Sequence, residues 1–461
     1  MITSPVSVAT SPRTATPVER RPEPSDGGPL LFSLLFWFGL ATCVELCWLG
    51  TPVESLWTVG DAMTAASRLT GMVSGFVLLV QVLLQSRIGW LERGIGAHAL
   101  LGWHRRLGWW MLAAVQAHLV TGVIGYAAVG GVPVLDQAWI MLTRYQQMGT
   151  AFAAAGLLVA VALLAIRGIR TALPYELWYW LHRTGYGVLL LAYGHQFEYG
   201  QELIHGGFGW WYWTGLHVLV LSFVVWGRGL RPLALNLRHR LRVAGVVPES
   251  QDTVSIYVTG RYLDRLGARG GQFFRWRFLT TGAWWQSHPF SLSAAPNGRW
   301  LRLTVRAVGQ YTTDLHHLEP GVPVVVHGPS GVFTASRRRR SRALLIAWGS
   351  GIGPVRALVE ELPPGAVLVY RARSRSDLVF HVELAELARD RVTRVHYVLG
   401  RRTDLGPRHL ATPAGIRDLA PDVRRRDVYL CGPADAVRPV RDALRRLGVP
   451  RRQIHLDAFE F

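Results

Sequence analysis

Hydrophobic and polar positions divide this chain near residue 235. Before that point apolar residues come in long runs, and charge-free stretches cover 27–44, 69–86, 107–135, 145–166 and 203–227. An apolar helix crosses a bilayer core of about 30 Å in roughly 20 residues, so each run predicts a membrane span. A further span is predicted over 176–197, where Arg183 sits near one end and can snorkel to the headgroups. Beyond residue 235 the runs are short and alternating, at 253–259, 272–278, 301–308 and 322–327. Turn signals such as Pro296-Asn297-Gly298 and Gly328-Pro329-Ser330-Gly331 separate them, which predicts a small antiparallel β-barrel. From Ala343 the pattern becomes strand, turn, helix, with buried parallel strands expected at 344–348, 367–370, 392–399 and 428–430. The expected fold class is a multidomain membrane protein: a six-helix transmembrane bundle, an antiparallel β-barrel domain, then a Rossmann-like α/β domain. The divisions fall at a disordered tail over 1–29, the spans over 30–230, the barrel over 235–336 and the α/β domain over 340–461. The Arg337–Arg340 run marks the last boundary and reads as a solvated loop.

Composition narrows the class. Half of the 461 residues are hydrophobic and only 17% are charged, which excludes a disordered chain. The net charge of +20 comes entirely from Arg, since the sequence has no Lys. Charge alone leaves nucleic acid, an anionic membrane and acidic ligands open, but the spans exclude a soluble nucleic-acid binder. The segments 87–107, 167–183 and 228–242 carry 4, 3 and 5 Arg, against 1, 1 and 0 in 51–68, 129–147 and 198–209. That asymmetry predicts a multi-pass cell-membrane protein with both termini in the cytoplasm. Cys43, Cys47 and Cys431 are the only cysteines, with no CxxC or CxxCH. Covalent c-type haem, zinc ribbons and all-cysteine iron–sulfur clusters are thereby excluded.

Histidines inside spans are costly and need a reason. His104 and His118 lie 14 apart in the third span, His182 and His195 13 apart in the fifth. Fourteen residues rise about 21 Å and return to nearly the same helix face. Two such helices side by side would hold two haems, one above the other, each iron between two imidazoles. The two spans run in the same direction, so His104 pairs with His182 near the cytoplasm and His118 with His195 near the outside. The 13-residue spacing strains this reading, because a regular helix sets His182 and His195 about 140° apart. Gly185, Gly187 and Gly194 allow a local distortion. Arg105, Arg106 and Arg183 lie beside the inner ligands, where they serve topology or pair with haem propionates.

Motifs for phosphate-bearing cofactors fill the second half. His288-Pro289-Phe290-Ser291-Leu292-Ser293 suits a rigid extended corner that lays a flavin ring against backbone and a hydroxyl. Arg306, Gly309 and Thr312 stand before a helix-like stretch and read either as part of a diphosphate cradle or as an ordinary turn. Gly349-Ser350-Gly351-Ile352-Gly353-Pro354 follows a predicted strand and opens a helix, the context a dinucleotide fingerprint requires. Cys431-Gly432-Pro433 ends a later strand at the same ligand-binding edge. Arg371, Arg373 and Arg375 follow the second strand, where a 2′-phosphate would be met, and so lean to NADPH over NADH.

Six spans with two His pairs, then HPFSLS, GSGIGP, CGP and a terminal aromatic, resemble the ferric reductase and NADPH oxidase superfamily. The second half is similar to ferredoxin–NADP reductase. The resemblance covers about 30–461. It implies that His288 to Ser291 hold FAD, that Gly349 to Pro354 hold NAD(P)H, and that Cys431 sits beside the nicotinamide. Phe461 would stack on the flavin until nicotinamide displaces it. An inert core thiol and plain packing are the ordinary alternatives for Cys431 and Phe461. The implied activity is transfer of electrons from cytosolic NAD(P)H through FAD and two haems to an external acceptor, a ferric chelate or oxygen. Donation to a partner haem protein or quinone is the alternative, and a non-enzymatic membrane haem protein is the competing class. Membrane lipid is the expected surround, and the oligomeric state is left open.

Overall fold

The computed structural model describes residues 27–51, 56–391, 394–400 and 410–459. Most of the 1–29 tail, and Phe461, fall outside the described residues. The chain divides into two compact units, one ending at Leu233 and the other starting at Ala234.

The first unit is helical. Its helices are α1 Gly27–Leu49, α2 Val59–Leu84, α3 Gly89–Ile95, α4 Ala97–Gly130, α5 Val134–Arg144 and α6 Met148–Leu164. They continue as α7 Arg167–Ala172, α8 Tyr175–Arg183, α9 Gly185–Tyr199 and α10 Phe208–Val224. A π-helical turn, Val225–Leu230, then leads into α11 Arg231–His239. Among the described residues, four helical stretches are long and apolar enough to cross a bilayer: Gly28–Leu49, Val59–Leu84, Ala99–Gly130 and Phe208–His239. A fifth arises only if α5 and α6 count as one, and they are bent by 111°. The sequence predicts six spans, so the difference falls on two regions. Ahead of the 145–166 run, α5 carries Asp136 and Arg144, buries Gln137 and Met141 one turn apart, and turns aside at Gln147 in the left-handed region.

The second difference is the 176–197 run, which is split at Thr184 into helices of nine and fifteen residues. Fifteen residues rise only about 22 Å, short of the hydrocarbon core. Thr184 causes the break locally. Its N–H and hydroxyl both donate to Leu181 O, at 3.1 and 2.7 Å, and Gly187 N donates to Thr184 O at 2.7 Å. These three-residue hydrogen bonds overwind the chain there.

The second unit begins with two three-stranded antiparallel sheets. Their strands are β1 Arg242–Ser250, β2 Thr253–Thr259, β3 Phe273–Phe278, β4 His288–Ser291, β5 Leu301–Arg306 and β6 Val324–Ser330. The orders are β1-β2-β5 and β4-β3-β6. Bridges Arg242↔Pro323 and Leu292↔Leu303 join the sheet edges. Alternation along β3 turns Phe274, Trp276 and Phe278 into the shared core. After the short helix α12, Gln310–Asp314, come β7 Arg342–Trp348, β8 Val367–Arg371, β9 Arg394–Val398, β10 Arg426–Pro433 and β11 Ile454–Phe459. They form one parallel sheet in the order β11-β10-β7-β8-β9. Its three central strands, β7, β8 and β10, are almost wholly buried, as parallel strands covered on both faces must be. One face packs on α13 Ile352–Glu361 and α14 His381–Arg391, the other on α15 Pro413–Leu419 and α16 Ala434–Arg446.

The sequence pattern missed β1, β4 and β11. The first has mixed burial, the second is a four-residue edge strand and the third contains alternating charged or polar residues. Residues 392–393 of the strand expected at 392–399 fall outside the described residues. The Arg337–Arg340 run is more than a solvated loop, because Arg339 N donates to the buried carboxylate of Asp427 at 2.8 Å.

Candidate functional site

The four histidines of the helical unit come together as two pairs. His104 on α4 faces His182 on α8 with ring centroids 6.2 Å apart, and His118 on α4 faces His195 on α9, also at 6.2 Å. The break at Thr184 rephases α9 against α8, so both pairs form despite the 13-residue spacing. A 6.2 Å centroid separation is what two imidazoles would need to hold one metal ion between them, each nitrogen about 2 Å from it. Nδ1 of His104, His182 and His195 is buried without a hydrogen-bond partner. Buried polar atoms are seldom left that way, and the donor set suits a haem iron.

Packing orients these rings. His118 Nδ1 lies 2.8 Å from Ser67 O and 3.1 Å from its Oγ. Gly71, one turn along α2, makes room for the ring, since a Cβ there would lie 2.8 Å from His118 Nδ1. His182 stacks on Trp178 at 5.2 Å and 16°. Around His118 and His195 opens a cavity of about 440 Å³. Its walls are mostly apolar, with small residues such as Gly75, Ala154 and Ala192. Polar residues also line it, including Asp61 and the ion-paired Arg68 and Glu202.

In the second unit, β4 lays His288–Ser291 along β3, in register from Trp276↔His288 to Phe273↔Ser291. Trp276 Nε1 donates to Phe290 O at 2.9 Å and fixes that edge. His288 stacks on Tyr311 at 4.0 Å. Pro289 is exposed, and His288, Phe290 and Ser291 are half-buried, so the segment presents an accessible edge. The remaining candidates hold protein partners. The Ser293 hydroxyl is buried and accepts from Thr304 Oγ1 at 2.7 Å and Arg302 Nε at 3.2 Å. Arg306 pairs with Asp252 at 2.7 Å and Asp377 at 3.5 Å. The Thr312 hydroxyl caps its own turn, accepting from Gly309 N at 3.1 Å and donating to Gly309 O at 2.9 Å.

The glycine fingerprint lies where the parallel sheet reverses its strand order, between β7 and β10, the usual ligand crevice of such sheets. Gly349 turns the chain out of β7 at φ +53°, in the left-handed region. Gly351 packs so closely on the Cys431 carbonyl that a side chain has no space. Gly353 and Pro354 then occupy the first turn of α13, at the helix N-terminal end that suits a pyrophosphate. Cys431, Gly432 and Pro433 end β10 alongside, with Cys431 in register with Ala347 and Asp457. The Cys431 thiol is buried, 3.8 Å from Asp457 Oδ2, and burial followed by that carboxylate pushes it well above the ordinary thiol range. It is a neutral group there. At the end of β8, Arg371 donates to Ala372 O and Val398 O, at 2.7 and 3.0 Å, whereas Arg373 and Arg375 are exposed.

Sequence reasoning missed Ser67, an unremarked small residue beside Arg68, just ahead of the 69–86 run. It also missed Arg302, Arg356 and Glu383, an ion network whose two arginines are buried. Their spacing in β5, α13 and α14 looks like solvated surface, so the sequence carries no signal for them.

Comparison with known proteins follows the same division. The family described as ferric reductase like transmembrane component matches residues 70–193. A second family, described as FAD-binding domain, matches residues 238–328. The ferredoxin reductase component of 3-ketosteroid-9-alpha-monooxygenase from Mycolicibacterium smegmatis is 33% identical over 237 residues, covering 48% of this chain and 65% of that protein. The chain thus spans just under two thirds of that relative's length. Ferredoxin–NADP reductase B from Sorangium cellulosum is 30% identical over 192 residues, covering 37% of this chain and 77% of that one. The FAD/NAD-binding domain of nitric oxide dioxygenase from Vibrio cholerae, a solved structure, is 25% identical with a TM-score of 0.42, covering 48% of this chain and 98% of that one.

Proposed function

The chain belongs to the ferric reductase and NADPH oxidase superfamily, as an NAD(P)H-dependent membrane oxidoreductase with an FAD-binding reductase module, and from that premise we propose its electron path. Electrons pass from cytosolic NAD(P)H through FAD and two b-type haems to an acceptor outside, a ferric chelate or oxygen. The observation that carries this reading is the pair of matched 6.2 Å imidazole gaps in a chain that also contains an FAD-binding domain. FAD, when bound, converts a two-electron hydride donor into single electrons, and haem iron carries those one at a time.

The chain's own residues bind and orient. His104 and His182 would hold the inner iron, and His118 and His195 the outer. Two imidazoles would complete the coordination of a haem iron held between them, which suits electron carriage over ligand binding. His288 to Ser291 offer the flavin an edge stiffened by β3 and by Tyr311. Gly349, Gly351, Gly353 and Pro354, with Gly432 and Pro433, would cradle the dinucleotide diphosphate. Arg373 and Arg375 are exposed where a 2′-phosphate would lie, which supports NADPH. Cys431 keeps a buried, uncharged thiol beneath the same crevice, and Phe461 would cover the flavin face. Six crossings are counted if α5 with α6, and α8 with α9, each traverse the bilayer as one bent element. The Arg distribution then supports cytoplasmic termini and the divisions at 30–230, 235–336 and 340–461. The bridged sheet edges support reading the two antiparallel sheets as one barrel.

The test is stoichiometry followed by substitution. Purified protein should contain about two haems per FAD, and His104→Leu and His195→Leu should each lose about one haem. Full haem retention in both variants would overturn the ligand assignment. Dismutase-sensitive dye reduction then identifies oxygen as acceptor, whereas NADPH oxidation that rises with added ferric chelate identifies iron.

A further inference from the structure

One ion cluster around the buried Arg302 and Arg356 has no part in the binding sites above. Arg302 on β5 is 2% exposed, yet it is a full cation. Its Nη1 and Nη2 donate to the two carboxylate oxygens of Glu383, at 2.8 and 3.0 Å. Glu383 lies in the first turn of α14 and also pairs with Arg356 Nε of α13, at 2.7 Å. Arg356 reaches on to Glu360 Oε2 at 3.0 Å. Burial alone would raise the Glu383 carboxyl, but its hydrogen bonds to Arg302 and the nearby Arg356 charge hold it below the usual range. Two arginines thus face the carboxylates of Glu383 and Glu360, with Glu249 a third carboxylate nearby.

What the network grips gives it a role. Both arginines converge on one backbone carbonyl, Ser293 O, from Arg302 Nη2 at 2.9 Å and Arg356 Nη1 at 3.3 Å. Glu360 also accepts from Ala295 N at 2.6 Å. Ser293 is two residues past β4, at the end of the segment that offers the flavin its edge. Arg356 is on the helix that the glycine fingerprint opens. A Cβ on Gly353, in that helix's first turn, would stand 3.4 Å from Ser293 Cβ. The flavin segment and the dinucleotide helix are therefore neighbours held together by charge.

We propose that Glu383 is a positioning residue for hydride transfer, clamping Arg302 and Arg356 so that the flavin segment and the dinucleotide helix keep one fixed separation. The inference rests on the FAD and NAD(P)H reading above. Hydride transfer moves two electrons and a proton together, from the nicotinamide ring to the flavin ring, and depends steeply on the distance between them. A misplacement of about 1 Å costs on the order of a hundredfold. Buried ion networks contribute little net stability but hold their geometry closely, which suits this task.

The experiment is anaerobic stopped-flow reduction of the detergent-purified full-length protein, with NADPH and NADPH deuterated on the transferred position. Glu383→Gln keeps the shape and removes the charge. Flavin reduction should slow about tenfold or more, with a larger primary isotope effect. FAD content should be unchanged, and NADP⁺ affinity, read from the flavin difference spectrum, should hold within about twofold. Should Glu383→Gln fail to retain FAD, Arg356→Gln leaves the Arg302–Glu383 pair intact and should show the same slowing. Wild-type reduction rate and isotope effect in an FAD-replete variant would overturn the proposal. Failure of NADPH to reduce flavin in the wild-type protein would instead overturn the functional reading beneath it.

Discussion

At the scale of single residues, burial decides what each candidate can do. Cys431 is sealed under the fingerprint turn beside Asp457, and both effects favour the neutral thiol. A thiol with its pKa raised reacts through a thiolate it seldom forms. Iodoacetamide at pH 8 should therefore leave Cys431 unmodified in the folded protein and label it on denaturation, as peptide mass spectrometry would show. Rapid labelling in the folded state would mean that the thiol is open and acidic. The same scale shows which site residues were legible. The four histidines stood out because an imidazole in an apolar run has few roles. Ser293 carried the right residue type for a flavin contact, yet its hydroxyl is occupied by Thr304 and Arg302. Glu383 was illegible because α14, with the sequence HVELAELARDR, has the polar pattern of a solvated helix. Only the fold brings Arg302 beneath it.

At the scale of elements, the turn at Thr184 matters most. A regular helix cannot aim His182 and His195 at ligands on one straight partner, and the sequence spacing exposed that conflict without resolving it. The structure resolves it with two short helices joined by an overwound turn. One residue inserted directly after Thr184 would turn α9 by about 100° and carry His195 away from His118. The inner pair lies on α4 and α8 and should survive. The expected result is loss of about one haem, with the remaining b-type spectrum intact and the FAD unchanged; retention of both haems would show that α9 has no fixed phase. Periodicity located most of the parallel strands, because their apolar runs are uninterrupted. It missed β4 and β11, whose short or mixed patterns take their meaning from a neighbouring strand. It also read 176–197 as one span, because hydropathy does not register a hydroxyl that competes for a backbone carbonyl.

At the scale of the whole molecule, two units divide the labour. The helical unit holds two facing imidazole pairs, and in the proposed reading the second unit sets a flavin edge against a dinucleotide crevice. The excess of Arg, ambiguous as bare composition, acquires distinct uses. Some residues flank the helices, some stand exposed at the end of β8, and Arg302 and Arg356 work inside the protein as clamps. The central claim is that these parts form one electron path. It is tested most directly by adding NADPH to the purified protein without oxygen and recording flavin and haem absorbance together. The account predicts that flavin bleaching is followed by the reduced b-type haem bands, with both haems reached. Flavin that bleaches while the haem stays oxidised would contradict it.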